Sequence, residues 1–311
     1  MLRLPTSKTY LWRYIKPNRI ESFLNGDLHF SALLAFDDQQ EAITPRHSFI
    51  LNFMKSHAAV PFDLKTPFNQ QDKDTMVGTM LMWLNIYVLE KKFLLTEGIT
   101  DRNEVSKILY HFIDNQKEII NEHTETQLKH YATCWFASGL DESSLMWTSY
   151  SEPGGIAVRI PYTEFRNNLK HYFNSIDLKA SGIKNIKYGL MHYIDQEVDY
   201  VKWADLIKKG VPLPFFKQHY FKQEREFRVM LEREDNFPQK DFRTTHKVFS
   251  SLTNYNIILH PVSGMDELEY IKSRIPSDMS IKVKLSNMSF NNRIIPGEPK
   301  ENFINTDEFD F

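Results

Sequence analysis

LMWTSYSEPGGIAVRI, Leu145 to Ile160, sets two textures side by side. Leu145-Met146-Trp147 looks buried, and Ser149 and Tyr150 follow it. Pro153-Gly154-Gly155 then makes a tight turn, and Ile156 to Ile160 reads as a clean strand. Trp147, Ser149 and Tyr150 therefore either pack a core or wall a pocket whose floor is the following strand. The choice depends on what the rest of the chain brings alongside.

Working outward, short strand-like segments surround this stretch. ATCWFAS (Ala132–Ser138) precedes it, and Ile183 to Ile194, Val198 to Trp203, Phe227 to Leu231, NIILHPV and SIKVKLS follow it. DLIKKG and MDELEYIKSRIP read as helices among them, the second stopped by Pro276. The chain opens as strand, short helix, strand. Thr9 to Ile15 is β-branched and aromatic, Pro17-Asn18 opens a helix that Asn25-Gly26 closes, and LHFS returns. FDDQQEAITP is an acidic loop. Strands and helices do not alternate regularly, so the pattern predicts an α+β fold with a mixed, largely antiparallel sheet core. Residues 72–131 read as a helical insert. Met76, Met80, Leu84 and Leu89 mark one apolar face, and Val105, Ile108, Leu109, Phe112, Ile113, Ile119 and Ile120 a second, on a helix from Asp101 to Tyr131. The whole, 1–311, reads as a single domain.

Composition excludes several classes. With 41% hydrophobic and 25% charged residues the chain is an ordinary globular protein. A net charge of −2 removes the broad positive field of a nucleic-acid binder, though a local basic patch stays open. One cysteine, Cys134, forms no disulfide framework and no cysteine-rich zinc site; inside an apolar strand it reads as a small core residue. His29, His192 and His260 lack paired ligands and read as structural. No metal is expected. The run from Met76 to Leu89 is too short to span a bilayer, and the first ten residues lack a signal-peptide core, so a cytoplasmic protein is expected. The tail NTDEFDF, within 300–311, is acidic and aromatic. It reads as a loose terminus or a docking peptide anchored by Phe309 and Phe311.

Phosphate loops, dinucleotide fingerprints and nucleophile elbows are missing from the sequence. The informative segment is KQEREFRVML, Lys222 to Leu231. Read as an extended strand, it sets Glu224, Glu226 and Arg228 on one face and Phe227, Val229 and Leu231 toward the core. That face is either a surface charge ladder or a carboxylate oriented by an arginine, fit to hold a sugar hydroxyl or to stabilise positive charge.

LWRYI, NGDLHFSALLAFDD, CWFAS, LMWTSY with GGIAV, and KQEREFRV occur in the order found in the bacterial family known as domain of unknown function 2971, which this chain resembles from Leu11 to Leu231. It departs at Trp12-Arg13, where the family has Tyr-Lys, at Phe36-Asp37-Asp38-Gln39, and at Ser149, where many members have histidine. A more distant resemblance is to ADP-ribosyltransferase-fold toxins and RNA 2′-phosphotransferases. They open with a strand bearing His or Arg and close with a strand carrying an essential glutamate, the place of Glu226. The resemblance implies an NAD-consuming ADP-ribosyltransferase or NAD glycohydrolase, acting on nucleic acid or protein as a toxin or antiphage-defence effector. Glu226 and Tyr150 would then be catalytic, with Tyr150 or Trp147 stacking nicotinamide. Arg13, Ser31, Ser149 and Arg228 would bind the remainder of NAD. Two other readings are a non-catalytic sensor or protein-binding module of a defence system, and a metal-dependent nuclease using Asp37, Asp38, Glu224 and Glu226.

Overall fold

The computed structural model describes residues 2–36, 38, 41–44, 48, scattered positions between 69 and 114, and then 115–195, 200–234, 243–250, 254–275 and 281–288. Asp37, most of the expected helical insert and the acidic-aromatic tail lie outside them.

The fold is α+β, with helices set against a nine-stranded, mostly antiparallel sheet. In chain order the strands are β1 (Tyr10–Ile15), β2 (Leu28–Ala32), β3 (His130–Ser138), β4 (Ile156–Pro161), β5 (Ile183–Leu190), β6 (His192–Ile194), β7 (Phe216–Gln218), β8 (Glu226–Arg233), β9 (Arg243–His246), β10 (Asn256–Leu259) and β11 (Lys282–Lys284), of which β6 and β7 pair in parallel as a separate two-stranded sheet. Among the described residues the helices include α1 (Ile20–Leu24), α2 (Gln116–Lys129), α3 (Ser144–Tyr150), α4 (Tyr162–Ser175), α5 (Tyr200–Lys208) and α6 (Met265–Ser273). Two expectations change. The helix expected to run to Tyr131 ends at Lys129, because His130 and Tyr131 pair with Glu232 and Leu231 as the start of β3. The strand expected from Val198 to Trp203 is helical from Tyr200 onward, where Trp203 and Ala204 are buried side by side in α5.

β3 is the axis of the sheet. Along one edge it pairs with β8 from His130 to Phe136, and β8 in turn pairs with β5. Along the other edge two strands share it. β1 pairs with Phe136 to Ser138, and β2 with Tyr131 and Ala132. The sheet therefore forks. β4, β10 and β11 continue beyond β1, while β9 continues beyond β2. Between the tines, β3 has no ladder partner at Thr133 to Trp135 on that edge. A buried carbonyl without a donor is costly, and here the Arg13 side chain supplies one: its Nη1 donates to the Cys134 carbonyl at 2.7 Å and to Thr133 Oγ1 at 2.6 Å.

The main core fills one face, where Leu11, Phe30, Trp135, Ile160, Phe165, Phe227, Val229, Leu231 and Phe249 pack together. The alternation of β8 places Phe227, Val229 and Leu231 there, as the strand period requires. A second cluster on the opposite face holds Trp12, Tyr14, Phe136, Met146, Trp147 and Ile258. His246 packs edge-on to Phe30 and beside Phe173. Burial first, then the charge on Arg233, lowers its pKa to about 4. A histidine held below its unfolded value near 6.5 contributes full stability above that value and loses it as pH falls toward 4. Urea stability should therefore drop between pH 7 and pH 4.5, and His246→Gln should show a shallower drop; an unchanged slope would refute the assignment.

The Pro-Gly-Gly turn seats the tight end of the fold. Gly154 has a φ of 83°, a left-handed conformation that suits glycine. At Gly155 a Cβ would come within 2.2 Å of Ser151 Oγ and 2.6 Å of the Ile15 carbonyl. Gly155→Ala is expected to cost about 1–3 kcal/mol in chemical denaturation, the range for overpacking. A change under about 0.5 kcal/mol would show that the contact relaxes.

Candidate active site

The fork encloses a cavity of about 570 Å³, within the size range of small-molecule sites. Arg13 and Tyr14 reach it from β1, His29 and Ser31 from β2, Ala132, Cys134 and Phe136 from β3, and Glu226 from β8. Met146, Ser149 and Tyr150 close it from α3.

α3 answers the question raised by Leu145 to Ile160. Ser143 caps it, its hydroxyl accepting from the Met146 amide while its own amide donates to the Tyr14 hydroxyl. Helical spacing puts Met146, Ser149 and Tyr150 on one face and Trp147 on another. The first three line the cavity. Trp147 is fully buried, edge-on to Tyr14 at 4.9 Å and to His260 at 5.1 Å, and its indole N–H donates to Glu142. The segment thus does both things, and Trp147 is a packing residue rather than a surface on which nicotinamide stacks. Tyr150, 42% exposed, is the aromatic that faces the cavity.

The charged segment Lys222 to Leu231 is not one continuous strand. His219 to Glu224 forms a 3-10 turn, Arg225 takes a left-handed conformation with φ 41°, and β8 begins at Glu226. Glu226 and Arg228 do share a face, with Arg228 Nε donating to Glu226 Oε1 at 2.6 Å. The pair is no surface ladder, because Glu226 is 4% and Arg228 0% exposed. Arg228 lies behind the cavity wall and meets protein on every donor that the geometry assigns. Nη1 and Nη2 grip Glu41 as a fork, and Nη1 also reaches the Pro214 carbonyl. It orients Glu226 instead of meeting a ligand, a correction to its expected binding role.

Lys217, from β7, completes the cluster. Its ammonium lies 2.6 Å from Glu224, 3.4 Å from Glu226 and 4.0 Å from Glu41. Glu224 also accepts the Tyr150 hydroxyl at 2.6 Å. Burial opposes the charge on Lys217, but Glu226, Glu41 and Glu224 together raise its pKa. Burial likewise opposes ionisation of Glu226, yet Arg228 and then Lys217 outweigh it and hold the carboxyl at about 2. Glu226 is therefore a carboxylate at neutral pH. Burial, the larger influence, raises Glu41 against the pull of Arg228. Cys134 stays a thiol, its pKa raised chiefly by burial and next by the charge on Glu226. It is half-buried and lines the cavity, where a core residue was expected.

Five expected site residues thus meet in one cavity: Arg13, Ser31, Ser149, Tyr150 and Glu226. Glu41 and Lys217 had no local signal. Glu41 sits in a polar loop and Lys217 in the apolar run FFKQ, and each acquires meaning only through β8. As for a metal, Asp37 lies outside the described residues, and among the described residues no group of three or more His, Cys, Asp or Glu is arranged to hold an ion. The space among Glu41, Glu224 and Glu226 is taken by the Lys217 ammonium. Nor does any described helix have the length and apolarity to cross a membrane.

Comparison with known proteins finds no matching family model, no matching curated protein and no matching solved structure.

Proposed function

We propose that this cavity binds NAD and breaks the bond between nicotinamide and ribose, as an ADP-ribosyltransferase or NAD glycohydrolase. The observation that carries the reading is the convergence of Arg13, Ser31, Tyr150 and Glu226 on one cavity at the fork of the sheet. When the bond from ribose C1′ to the pyridinium nitrogen breaks, its electron pair leaves with neutral nicotinamide, and positive charge spreads over C1′ and the ring oxygen. An ionised carboxylate held in a low-dielectric wall stabilises that charge without reorganising. Glu226 meets the requirement, since Arg228 and Lys217 fix both its position and its charge. The half-exposed Tyr150 ring offers a stacking face for nicotinamide, and Arg13 offers guanidinium N–H groups to phosphate. Water or an acceptor on protein or nucleic acid then adds its lone pair to C1′ and releases a proton to solvent. The toxin or antiphage setting comes from the resemblance of the opening and closing strands to ADP-ribosyltransferase-fold toxins.

One observation favours a second reading, a sensor module that binds the same ligand without cleaving it. Arg228, Lys217 and the Cys134 thiol already engage Glu226. Free nicotinamide released from NAD by wild type and by Glu226→Gln separates the two. Release by wild type alone supports the enzyme; ligand binding with no release by either supports the sensor.

A further inference from the structure

Charged groups of both signs line the cavity. The acidic cluster of Glu41, Glu224 and Glu226 is interleaved with Lys217 and Arg228. The turn that leaves β1 brings Arg13, Lys16 and Arg19 to the same cavity. Among the described residues none of these three has a carboxylate within ion-pair distance. Asp27 and Asp38 line the same cavity, and two acids on neighbouring segments are engaged by other residues. Asp27 pairs with Lys247 and accepts from Ser22, and Glu21 pairs with Arg274. His29 adds no counter-charge. Its ring nitrogens bond Ser22 and Thr245 at 2.8 Å each, and burial, followed by the charges of Arg19 and Arg13, lowers its pKa and keeps it neutral. Arg19 also feels Arg243 from β9.

The charge of Arg19 acts against that of Arg13, and the charge of Arg243 against that of Arg19. An anion bound beside Arg13 and Arg19 relieves that repulsion. Arg13 spends Nη1 on β3, which fixes its guanidinium 5.6 Å from the Trp135 ring and leaves its other nitrogens to a ligand. Arg19 and Lys16 have no protein acceptor among the described residues and are exposed at the mouth. Three donors of this kind match the charge and spread of two linked phosphates better than one carboxylate.

We propose that Arg13, Lys16 and Arg19 form a diphosphate subsite, so that the cavity selects nucleoside diphosphates and their conjugates over uncharged nucleosides. The inference rests on the reading of this cavity as a nucleotide site, and it assigns recognition to the turn after β1 rather than to the carboxylate end.

The test uses the full chain and ligands that carry no nicotinamide, so that binding is scored apart from cleavage. ADP, inorganic pyrophosphate and adenosine are titrated calorimetrically into wild type, Lys16→Gln, Arg19→Gln and the double variant. Both positions are exposed, and thermal melts check that folding is unchanged. ADP should bind wild type at least about tenfold more tightly than adenosine, weaken as salt is raised, and lose about fivefold to tenfold in each single variant. Pyrophosphate should bind and show the same rank order across the variants. Equal affinity for ADP and adenosine, unaltered ADP affinity in the double variant, or no ADP binding by wild type would each overturn the subsite. If ADP binds as expected while NAD yields no nicotinamide, the subsite stands and the cleavage reading falls.

Discussion

Arg228→Met should destabilise the protein by about 3–5 kcal/mol, the cost of removing one partner from a buried ion pair. Arg228 has no exposed surface, and its guanidinium meets Glu226, both oxygens of Glu41 and the Pro214 carbonyl. Methionine fills much of the volume but leaves two carboxylates buried with only Lys217 opposite them. Adding Glu41→Gln should restore part of the loss, because it removes one of those charges; the two changes are then non-additive. Arg228→Lys should fall between, since a lysine keeps the charge without the planar fork. The pH dependence carries a sign. In wild type Glu226 titrates near 2, below its unfolded value, so its contribution is present above the ordinary carboxylate range and fades as pH falls toward 2. In Arg228→Met the unpaired carboxylates bind protons more readily folded than unfolded, so stability should rise as pH is lowered from 7 toward 5. Urea denaturation at several pH values reads both effects. A loss under about 1 kcal/mol, or an acid limb of unchanged sign, would show that the cluster does not hold β3, β8 and the Glu41 loop together.

The second large effect concerns turnover. Glu226→Gln is expected to lower nicotinamide release by at least about 10²–10³-fold, the scale for removing one preorganised group that faces charge developing in a transition state. Glutamine keeps the size and one acceptor oxygen but not the charge. The substitution also leaves Arg228 and Lys217 with one carboxylate fewer, so the melting temperature should fall. Activity must therefore be measured well below the variant's own transition. ADP affinity is the control, because the diphosphate subsite lies on the β1 turn and should persist in Glu226→Gln. Loss of turnover with ADP binding intact assigns Glu226 to the chemistry. Loss of both assigns it to the scaffold, and undiminished turnover removes it from the site.

Much of this site was legible in the sequence, for a physical reason. Strand alternation places Glu226 opposite Phe227 and beside Arg228 whatever else surrounds them, and the structure keeps that arrangement. The opening strand, short helix and returning strand follow from local turn chemistry at Pro17 and at Asn25-Gly26, and they appear as β1, a 3-10 turn, α1 and β2. The α+β class followed from the irregular order of the segments. Local pattern was weaker where helix and strand propensities compete. Tyr200–Lys208 is rich in aromatic and β-branched residues, yet it is helical because Trp203 and Ala204 pack from one side of a helix.

Trp147 and Tyr150 show the limit most clearly. Three residues apart and both aromatic, both stand as candidate stacking surfaces in the sequence, although Trp147 lies within the buried-looking Leu-Met-Trp. Only the rotation of α3 against Tyr14 and His260 decided that Trp147 is core and Tyr150 faces the cavity. Glu41 and Lys217 are the same lesson in charge. Glu41 lies 187 positions from Arg228 in the chain, so no spacing rule connects them. The sequence determined which face of each element is apolar and where the chain turns, because those depend on the residues a few positions away. The tertiary structure decided that β1 and β2 part along β3, and so decided that there is a cavity. It also decided that Glu226 is ionised within the wall, because burial and ion pairing depend on neighbours that the chain brings from far away.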